Sequence, residues 1–423
     1  MNFSSEPNSS TPDAESLASA RQWQVALLCA LVAVCDGFDT QAIAFVAPVI
    51  SKQWGVAPNQ FGSVFSAGLV GLALGAFLLG SAADRLGRKT VILFCVALFS
   101  ISSILTTRSS SMTELAVWRV VTGLGLGGVL PNLIALTNEI AHAKHKNSLV
   151  MLMFCGFPVG ATIGGLVSAP LIGAAGWSGV FVLGGVIPLC LLPFLFRFLP
   201  ESARKSSDTV PAAGSAPAPT AEAGIARLFG EGRTVPTLLL WAAFFSNLLV
   251  MYFLVNWLPS LLSLIGSSLS VATLSTAVLN LGGVGGALLL SRVVNGPHAL
   301  SVLAFGYLVG AIALVMIARA DGNIAIMLSG AALAGAVVVG GQIAMNAVTA
   351  SFYPSDIRST GVGWALGVGR IGSIAGPLLG GALMKAGWQG TSPVLIAILP
   401  MIITAAALVA LKRFFKTESS SSG

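Results

Sequence analysis

Five ionisable side chains stand out in this sequence because they interrupt long apolar segments. Asp36 and Asp39 lie in the first such segment, Arg119 and Glu139 in the fourth, and Arg370 in the eleventh. A charge in apolar surroundings is costly to hold away from water, and it therefore marks a candidate functional site. Carboxylates bind and release protons and guanidinium groups bind anions, so this set predicts a site that handles both.

The two aspartates are three residues apart and would project from the same face of a helix. A purely structural ion pair is the alternative, because buried charges usually pair. At about 1.5 Å of rise per residue, Asp36 lies near the centre of its segment and Asp39 lies about 4–5 Å further along. The fourth segment runs the other way and places Arg119 about 10 Å from its centre on that same side, whereas Arg370 lies within about 3 Å of the middle. We therefore expect Asp39 to pair with Arg119 and Asp36 to face Arg370.

The segments that carry these residues are long enough to be transmembrane helices. Of the 423 residues, 55% are hydrophobic and 9% are charged, whereas roughly a quarter of an average soluble protein is charged. The sequence contains twelve apolar segments of about 20 to 28 residues, and a helix needs about 20 to cross the hydrocarbon layer. Alternating strands of the outer-membrane barrel type are absent, so the spans must be helices. The sequence predicts an all-α integral membrane protein and excludes a soluble globular domain. The predicted spans are residues 23–49, 60–82, 90–107, 112–138, 148–172, 177–199, 235–262, 270–292, 298–318, 323–351, 359–386 and 391–411.

A polar linker divides the twelve spans into two halves, and its low-complexity centre is AAGSAPAPTAEAG at 212–224. The halves show weak similarity, since GSAADRLGRK at 80–89 follows the second span and GALLLSRVVNG at 286–296 follows the eighth. Two parallel six-helix halves with a midplane site between them are typical of a rocking transporter. The predicted organisation is a disordered cytoplasmic tail at 1–22, six-helix bundles at 23–199 and 235–413, a cytoplasmic linker at 200–234 and a second tail at 414–423.

The basic residues predict the orientation. Placing both termini in the cytoplasm puts sixteen of the 22 Lys and Arg residues on that side and four on the other, and two lie inside spans. Such an excess is typical of cytoplasmic loops. It also explains the net charge of +7 without a nucleic-acid partner.

The loop after the second span is a candidate gate. Its sequence places Gly80, Asp84, Arg85 and Arg88 in a short turn between two helices. An acid at this helix end can face a helix N-terminus across the bundle, where the helix dipole favours negative charge. The alternative is an ordinary basic cytoplasmic loop.

Many of the 49 glycines are spaced four residues apart, for example Gly71 and Gly75 or Gly282 and Gly286. In membrane helices this spacing indicates close backbone packing. The same interpretation applies to the G-x-G-x-x-G match at 123–128, since a dinucleotide site needs a preceding strand in a soluble domain.

Other kinds of site are not supported by the sequence. The five cysteines lie inside apolar spans and show no disulfide or metal-ligand spacing. No G-x-x-x-x-G-K-[ST] phosphate loop occurs, which excludes ATP-driven pumping by this chain. No histidine lies within a central span, which argues against an intramembrane enzyme. We expect no metal and no cofactor, with protons as the coupling ion.

Several motifs resemble those of the major facilitator superfamily over essentially the whole chain. The loop GSAADRLGRK resembles its loop 2–3 signature, RVVTGLGLGG (119–128) its span 4 signature and PES (200–202) its usual exit from span 6. Five longer segments resemble, more specifically, the aromatic acid:proton symporter family. They are DGFDTQAIAFVAP (36–48), RVVTGLGLGGVLPN (119–132), FCGFPVGA (154–161), NWLPSLL (256–262) and YPSDIRSTGVGWALGVGRIGSIAGP (353–377).

This resemblance implies the major facilitator fold with two six-helix halves. It implies that Asp36 and Asp39 act in proton coupling or substrate handling. It assigns Arg119 and Glu139, through the span 4 motif, to proton coupling as well. It places Arg370 in the span 11 motif and His298 at a position where such transporters carry a histidine. The loop after the eighth span lacks the acid that its first-half counterpart has, so gating would depend on the first half.

The predicted substrate site combines a cation with apolar walls, because a carboxylate that carries a ring needs both. Polar side chains, Asn132 among them, would complete the site. The alternative is that each of them forms a hydrogen bond between helices. The candidates are the cation Arg370, the aromatic residues Phe38, Tyr252, Trp257 and Trp364, and the polar residues Gln41, Asn256, Gln342 and Asn346.

These observations predict a monomeric secondary transporter of the bacterial inner membrane. It would import an aromatic carboxylate of the hydroxybenzoate or hydroxyphenylpropionate type by proton symport with alternating access. Asp36, removed from water near the midplane, is expected to carry the proton. A proton-coupled exporter of organic anions or drugs would have the same fold and remains an alternative, and an intramembrane enzyme is the alternative from a different class.

Overall fold

The computed structural model describes residues 12–140, 146–201, 221–294, 296 and 298–419. Within these residues, eleven helices are long and apolar enough to cross a membrane. One of them, Cys155–Phe198, has 44 residues and is interrupted at Gly176, where φ is 71° and ψ is −179°. That backbone conformation is accessible essentially to glycine alone. The break divides the segment into two crossings, which gives the twelve spans that the sequence predicts and confirms an all-helical membrane fold.

The twelve spanning helices are labelled α1 to α12 in chain order. Helices α5 and α6 are residues 146–175 and 177–198 of the continuous segment Lys146–Phe198. The others are α1 Pro12–Trp54, α2 Phe61–Leu86, α3 Arg88–Thr106, α4 Met112–Ile140, α7 Thr234–Leu264, α8 Leu269–Ser291, α9 Ala299–Ala318, α10 Ile324–Phe352, α11 Arg358–Lys385 and α12 Ile398–Ser419. Three short helices, Pro58–Gln60, Ala221–Leu228 and Pro393–Ile396, lie between them.

Local sequence explains where several helices begin and end. The side chains of Ser268 and Asn323 accept hydrogen bonds from backbone N–H groups in the first turns of α8 and α10, which satisfies donors that a helix leaves free. Gly87 separates α2 from α3 with a φ of 88°, a value that glycine adopts without strain. The candidate gate is therefore a one-residue turn between two helices.

Close glycine contacts hold the helices of each half together. Helix α1 packs on α5 and α2 on α4 in the first half, and α7 packs on α11 and α8 on α10 in the second. Gly71 and Gly75 lie so close to α4, and Gly282 and Gly286 so close to α10, that a methyl group there would overlap a backbone carbonyl oxygen. The interpretation of spaced glycines as packing positions is confirmed.

The two halves meet along a seam formed by α2 with α11, α5 with α8 and α1 with α7. At the α2–α11 contact, Ser66 Oγ donates to the Ile374 carbonyl at 2.8 Å. Beside it, the rings of Phe65 of α2 and Trp257 of α7 meet edge to face at 5.1 Å. Phe65 and Ser66 lie near the start of α2, Trp257 lies near the end of α7, and Ile374 lies in the second half of α11, all toward the side predicted to face outside. Among the described residues, α3 and α4 make no extensive contact with the second half. The seam is thus closed at the predicted outer end.

The predicted linker contains a helix that docks on the second half. Leu228 is fully buried, and its carbonyl accepts a hydrogen bond from Thr237 Oγ1 of α7 at 3.0 Å. Arg227 forms an ion pair with Asp356 of the loop between α10 and α11. Residues 202–220 of the predicted linker, including most of its low-complexity centre, lie outside the described residues.

The predicted N-terminal tail is corrected by the structure. Residues 12–22 are helical and belong to α1, which starts at Pro12. The stretch DAESLASAR after this proline is rich in residues with high helix propensity, and proline favours the first position of a helix. The prediction of disorder is therefore wrong for residues 12–22, and residues 1–11 lie outside the described part of the chain. At the other end α12 runs to Ser419, into the predicted second tail.

Candidate functional site

Asp39 and Arg119 form the ion pair that their depths predict. Arg119 Nη1 lies 3.1 Å from Asp39 Oδ2, and Arg119 Nη2 donates to the Asp39 carbonyl at 3.1 Å. Ser103 Oγ donates to Asp39 Oδ1 at 2.5 Å. Asp39 is 0% and Arg119 2% exposed, so each charge depends on the other for its stabilisation.

Asp36 lies one turn away on the same helix and has different surroundings. It is 1% exposed and accepts a hydrogen bond from Thr40 Oγ1 at 3.1 Å. The Arg370 guanidinium acts on it electrostatically, as the sequence predicts, but no salt bridge to Asp36 occurs among the described residues. Arg370 is itself only partly buried. The two aspartates therefore differ, because within the described part of the chain Asp39 has a cation in contact and Asp36 has none.

A small cavity lies between the halves beside these residues. Helices α1, α2, α4 and α7 line it with Thr40, Ile43, Phe65, Gly68, Leu69, Leu72, Arg119, Gly123, Leu126, Tyr252, Val255 and Asn256. Its volume is about 20 Å³, room for a single water molecule. The Nε atom of Arg119 is buried without a hydrogen-bond partner among the described residues. An aromatic acid needs more space than this, so binding here requires the surrounding helices to separate.

A larger cavity of about 930 Å³ lies away from this site, at the predicted outer end of the bundle. Residues of the loops after α1, α7, α9 and α11 line it, among them Arg319, Lys385 and Trp388. It contains none of the predicted site residues. The buried charges beside the small cavity, and not this outer cavity, are the candidate functional site.

Amide side chains form two networks near the seam. Gln41 and Asn280 of α8 exchange hydrogen bonds in both directions, at 3.2 and 3.1 Å. In the second half Asn247 donates to Gln342 at 2.7 Å, and Gln342 donates to Asn346 at 3.2 Å. Sequence reasoning missed Asn280 and Asn247, although the signal that identified the others, a polar side chain in an apolar span, applies equally to them.

Among the described residues, two further amides donate to backbone carbonyls and to no side chain. Asn256 Nδ2 donates to the Tyr252 carbonyl one turn earlier at 2.7 Å and lines the small cavity. Asn132 Nδ2 donates to the carbonyls of Gly128 and Leu79, which makes it a packing residue between α4 and α2.

The aromatic candidates are only partly brought together. Tyr252 lines the small cavity. Trp257 is fully buried and donates from Nε1 to the Pro377 carbonyl at 2.9 Å, so it packs α7 against α11. Phe38 is buried against glycines of α5 and α6, and Trp364 stacks on Trp241 with 5.9 Å between centroids. Of the four predicted walls, the structure places one in the cavity.

Glu139 lies far from the other predicted coupling residues. Its Oε1 is 2.6 Å from Arg88 Nε, and its side chain is 40% exposed. The pair joins the end of α4 to the start of α3, because Arg88 directly follows the Gly87 turn. Glu139 therefore belongs with the candidate gate, where Asp84 and Arg85 are exposed and Gly80 has open space around it. The described residues contain no group of three His, Cys, Asp or Glu side chains that would hold a metal ion.

Comparison with known proteins gives a consistent set of relatives. The family described as Major Facilitator Superfamily matches residues 29–318. The chain is 37% identical to the gallate transporter of Pseudomonas putida, covering 93% of this chain and 92% of that one. It is 40% identical to the 3-(3-hydroxy-phenyl)propionate transporter of Escherichia coli K12, covering 93% and 94%. The crystal structure of a D-xylose–proton symporter superposes with a TM-score of 0.74 at 16% identity, covering 91% and 97%.

Proposed function

The chain belongs to the major facilitator superfamily and to its aromatic acid:proton symporter family, and we propose that it imports an aromatic carboxylate together with a proton. It is a multi-span transport protein of the bacterial cytoplasmic membrane and not an enzyme. The proposed substrate is of the hydroxybenzoate or hydroxyphenylpropionate type. No cofactor besides the coupling proton is proposed, and both termini are assigned to the cytoplasm.

The unequal pairing of the two aspartates is the observation that carries this proposal. Asp39 is balanced by a guanidinium in contact with it, 3.1 Å away. Asp36 is equally buried, but among the described residues only the Thr40 hydroxyl donates a hydrogen bond to its side chain. Asp39 is therefore assigned to hold α1 and α4 in register, and Asp36 to bind and release the proton.

Arg370 supplies a physical link between the proton and the substrate. Its guanidinium acts on Asp36 electrostatically and is suited to bidentate binding of a carboxylate. A substrate anion at Arg370 neutralises that cation and removes its support for the Asp36 carboxylate. A proton on Asp36 then restores the charge balance. Substrate and proton would cross the membrane together, which is the definition of symport.

Proton coupling is tested by the direction of uptake. Uptake of labelled 4-hydroxybenzoate or 3-(3-hydroxyphenyl)propionate into proteoliposomes should rise as the external pH falls and should collapse when a protonophore is added. Accumulation driven only by a sodium gradient would contradict the coupling ion. Net movement of substrate into the acidic compartment, opposite to the protons, would instead favour an exporter that exchanges its substrate for protons.

The role of Arg370 predicts an unusual response to a conservative substitution. Arg370→Lys should fail to restore transport although it keeps the charge, because the planar fork that binds a carboxylate is lost. The apparent affinity for substrate, measured as competition by unlabelled acid, should fall in both Arg370→Lys and Arg370→Ala. The amide of the same acid should not compete in the wild type. Unchanged affinity in Arg370→Ala would remove this residue from the site.

A further inference from the structure

The small cavity between α1, α2, α4 and α7 lies on the outer side of Asp36. Thr40 lines it, four residues further along α1 toward the predicted outer end, which is about 6 Å at the helical rise. Phe65, near the start of α2, also lines it, and its ring packs edge to face on Trp257 at 5.1 Å. The cavity therefore lies between Asp36 and the side from which an imported proton arrives.

One wall of this cavity carries a hydrogen-bond donor that has no acceptor. Arg119 uses Nη1 and Nη2 for Asp39, whereas its Nε is buried without a partner among the described residues. A methyl group built on Gly68, which also lines the cavity, would lie 3.8 Å from this nitrogen. Since a buried N–H without an acceptor is costly, a water molecule in the cavity would be held there by Arg119.

Thr40 presents the opposite kind of group to the same cavity. Its hydroxyl donates to Asp36 Oδ1 at 3.1 Å, and a hydroxyl has one hydrogen, so its oxygen can only accept a hydrogen bond from the cavity. Arg119 Nε can only donate. A water molecule between them would accept from Arg119 and donate to Thr40. Every hydrogen bond in this chain would point toward the Asp36 carboxylate, the direction in which a proton has to move.

The other charged groups around Asp36 offer it no proton. Asp36 is 1% exposed, and the charges that act on it are Asp39 on its own helix and Arg370 on α11. The Asp39 carboxylate is paired with Arg119, and a guanidinium does not release its proton in a protein. Thr40 is only partly buried. Among the described residues, its hydroxyl is therefore the group that connects Asp36 to the cavity.

We propose that Thr40 and one water molecule in the small cavity, held by Arg119 Nε, form the route by which a proton from outside reaches Asp36. This rests on the proposed function, in which Asp36 carries the proton. When the outer seam opens, the cavity water takes a proton from the outer solvent and gives one to the Thr40 oxygen, while the hydroxyl hydrogen of Thr40 moves to Asp36 Oδ1. Water and Thr40 keep their composition, and Asp36 becomes neutral. Closure of Phe65 on Trp257 then separates the cavity from outside.

The test compares two rates for labelled 4-hydroxybenzoate or 3-(3-hydroxyphenyl)propionate in proteoliposomes. Thr40→Val should slow uptake driven by a pH gradient by at least about tenfold, since a positioned proton-transfer group contributes about 100-fold or more to the step that it serves. Counterflow without a gradient should persist, because exchange needs no net proton transfer. Thr40→Ser keeps the hydroxyl and should restore driven uptake. Thr122→Val is the matched control, since Thr122 is buried in α4 and donates to the Trp118 carbonyl, and it should change neither rate.

Gly68→Ala tests the water separately from the hydroxyl, and it covers the case in which Thr40→Val fails to fold. The added methyl group would have no atom of a neighbouring helix closer than 3.7 Å, so the helices need not move. It would fill the space beside Arg119 Nε that the water needs. Driven uptake should fall and counterflow should persist. Gly306→Ala in α9, where a methyl group has open space around it, is the matched control.

Three results would decide against the route. Driven uptake at the wild-type rate in Thr40→Val or in Gly68→Ala would overturn it. An equal fall of driven uptake and counterflow would also overturn it, because the position would then serve the structure and not the proton. Both outcomes leave the proposed function standing. Accumulation retained by Asp36→Asn would overturn the proton carrier itself, and this inference with it.

Discussion

An Asp39→Asn variant is expected to reach the membrane as folded protein at a small fraction of the wild-type level. The substitution leaves Arg119, which is 2% exposed, without its carboxylate. Removing one partner of a buried ion pair costs about 3–5 kcal/mol, a large part of the roughly 5–15 kcal/mol that stabilises a typical folded protein. Fluorescence-detected size-exclusion chromatography of a tagged protein in mild detergent measures the monodisperse fraction directly.

Removal of the stranded cation should reverse this effect. Asp39→Asn combined with Arg119→Gln should recover much of the monodisperse fraction, because two neutral side chains can hydrogen-bond without a buried charge. Glu139→Gln is the matched control, since it breaks an exposed ion pair with Arg88 of a class worth only about 0–1 kcal/mol. Normal folding of Asp39→Asn together with misfolding of Asp36→Asn would reverse the roles given to the two aspartates.

An Asp36→Asn variant is expected to fold and to lose all accumulation of substrate against a gradient. The amide has nearly the shape of the carboxyl group but cannot carry a proton between the two sides. Exchange of labelled for unlabelled substrate needs no net proton movement, so it should persist. Uptake driven by a pH gradient and counterflow without one, measured in the same proteoliposomes, separate the two processes.

A second carboxylate outside the seam provides the control for this variant. Asp356 forms an exposed ion pair with Arg227 of the linker helix, so Asp356→Asn should keep accumulation close to the wild-type level. Asp36→Asn protein that still concentrates substrate in response to a pH gradient would exclude Asp36 as the proton carrier.

The depth of each residue within the membrane was predictable from the sequence. The direction in which its side chain points from the helix axis was not. Hydropathy sets where each span begins and which way it runs, so the regular helical rise was enough to pair Asp39 with Arg119. Tyr252 and Trp257 of α7 show that the direction of a side chain was not predictable. Both are aromatic residues in a helix that is apolar on every side, so no amphipathic pattern indicates which face looks inward. Tyr252 lines the cavity, whereas Trp257 packs against α11.

The sequence likewise did not predict which polar side chains on distant helices contact each other. The Gln41 amide was predicted as a substrate group, but its partner in the structure is 239 residues away in the chain. Glu139 was assigned to coupling because of its motif, and its position at the end of α4 instead brings it to Arg88. In both cases the contact depends on how helices are arranged around one another, which local pattern does not determine.

The glycine contacts within each half have a consequence for how such a protein can change over evolutionary time. At Gly71, Gly75, Gly282 and Gly286 the obstacle to a side chain is a backbone carbonyl of the neighbouring helix, so even alanine would have to displace a whole helix. Mutations that survive should therefore accumulate at residues facing the space between the halves, such as Tyr252. Substitution of a few of these side chains would change which solutes bind, while the helix pairs packed through glycines stay unaltered. Proteins with this one fold can in this way come to transport different substrates while the helix packing within each half stays the same.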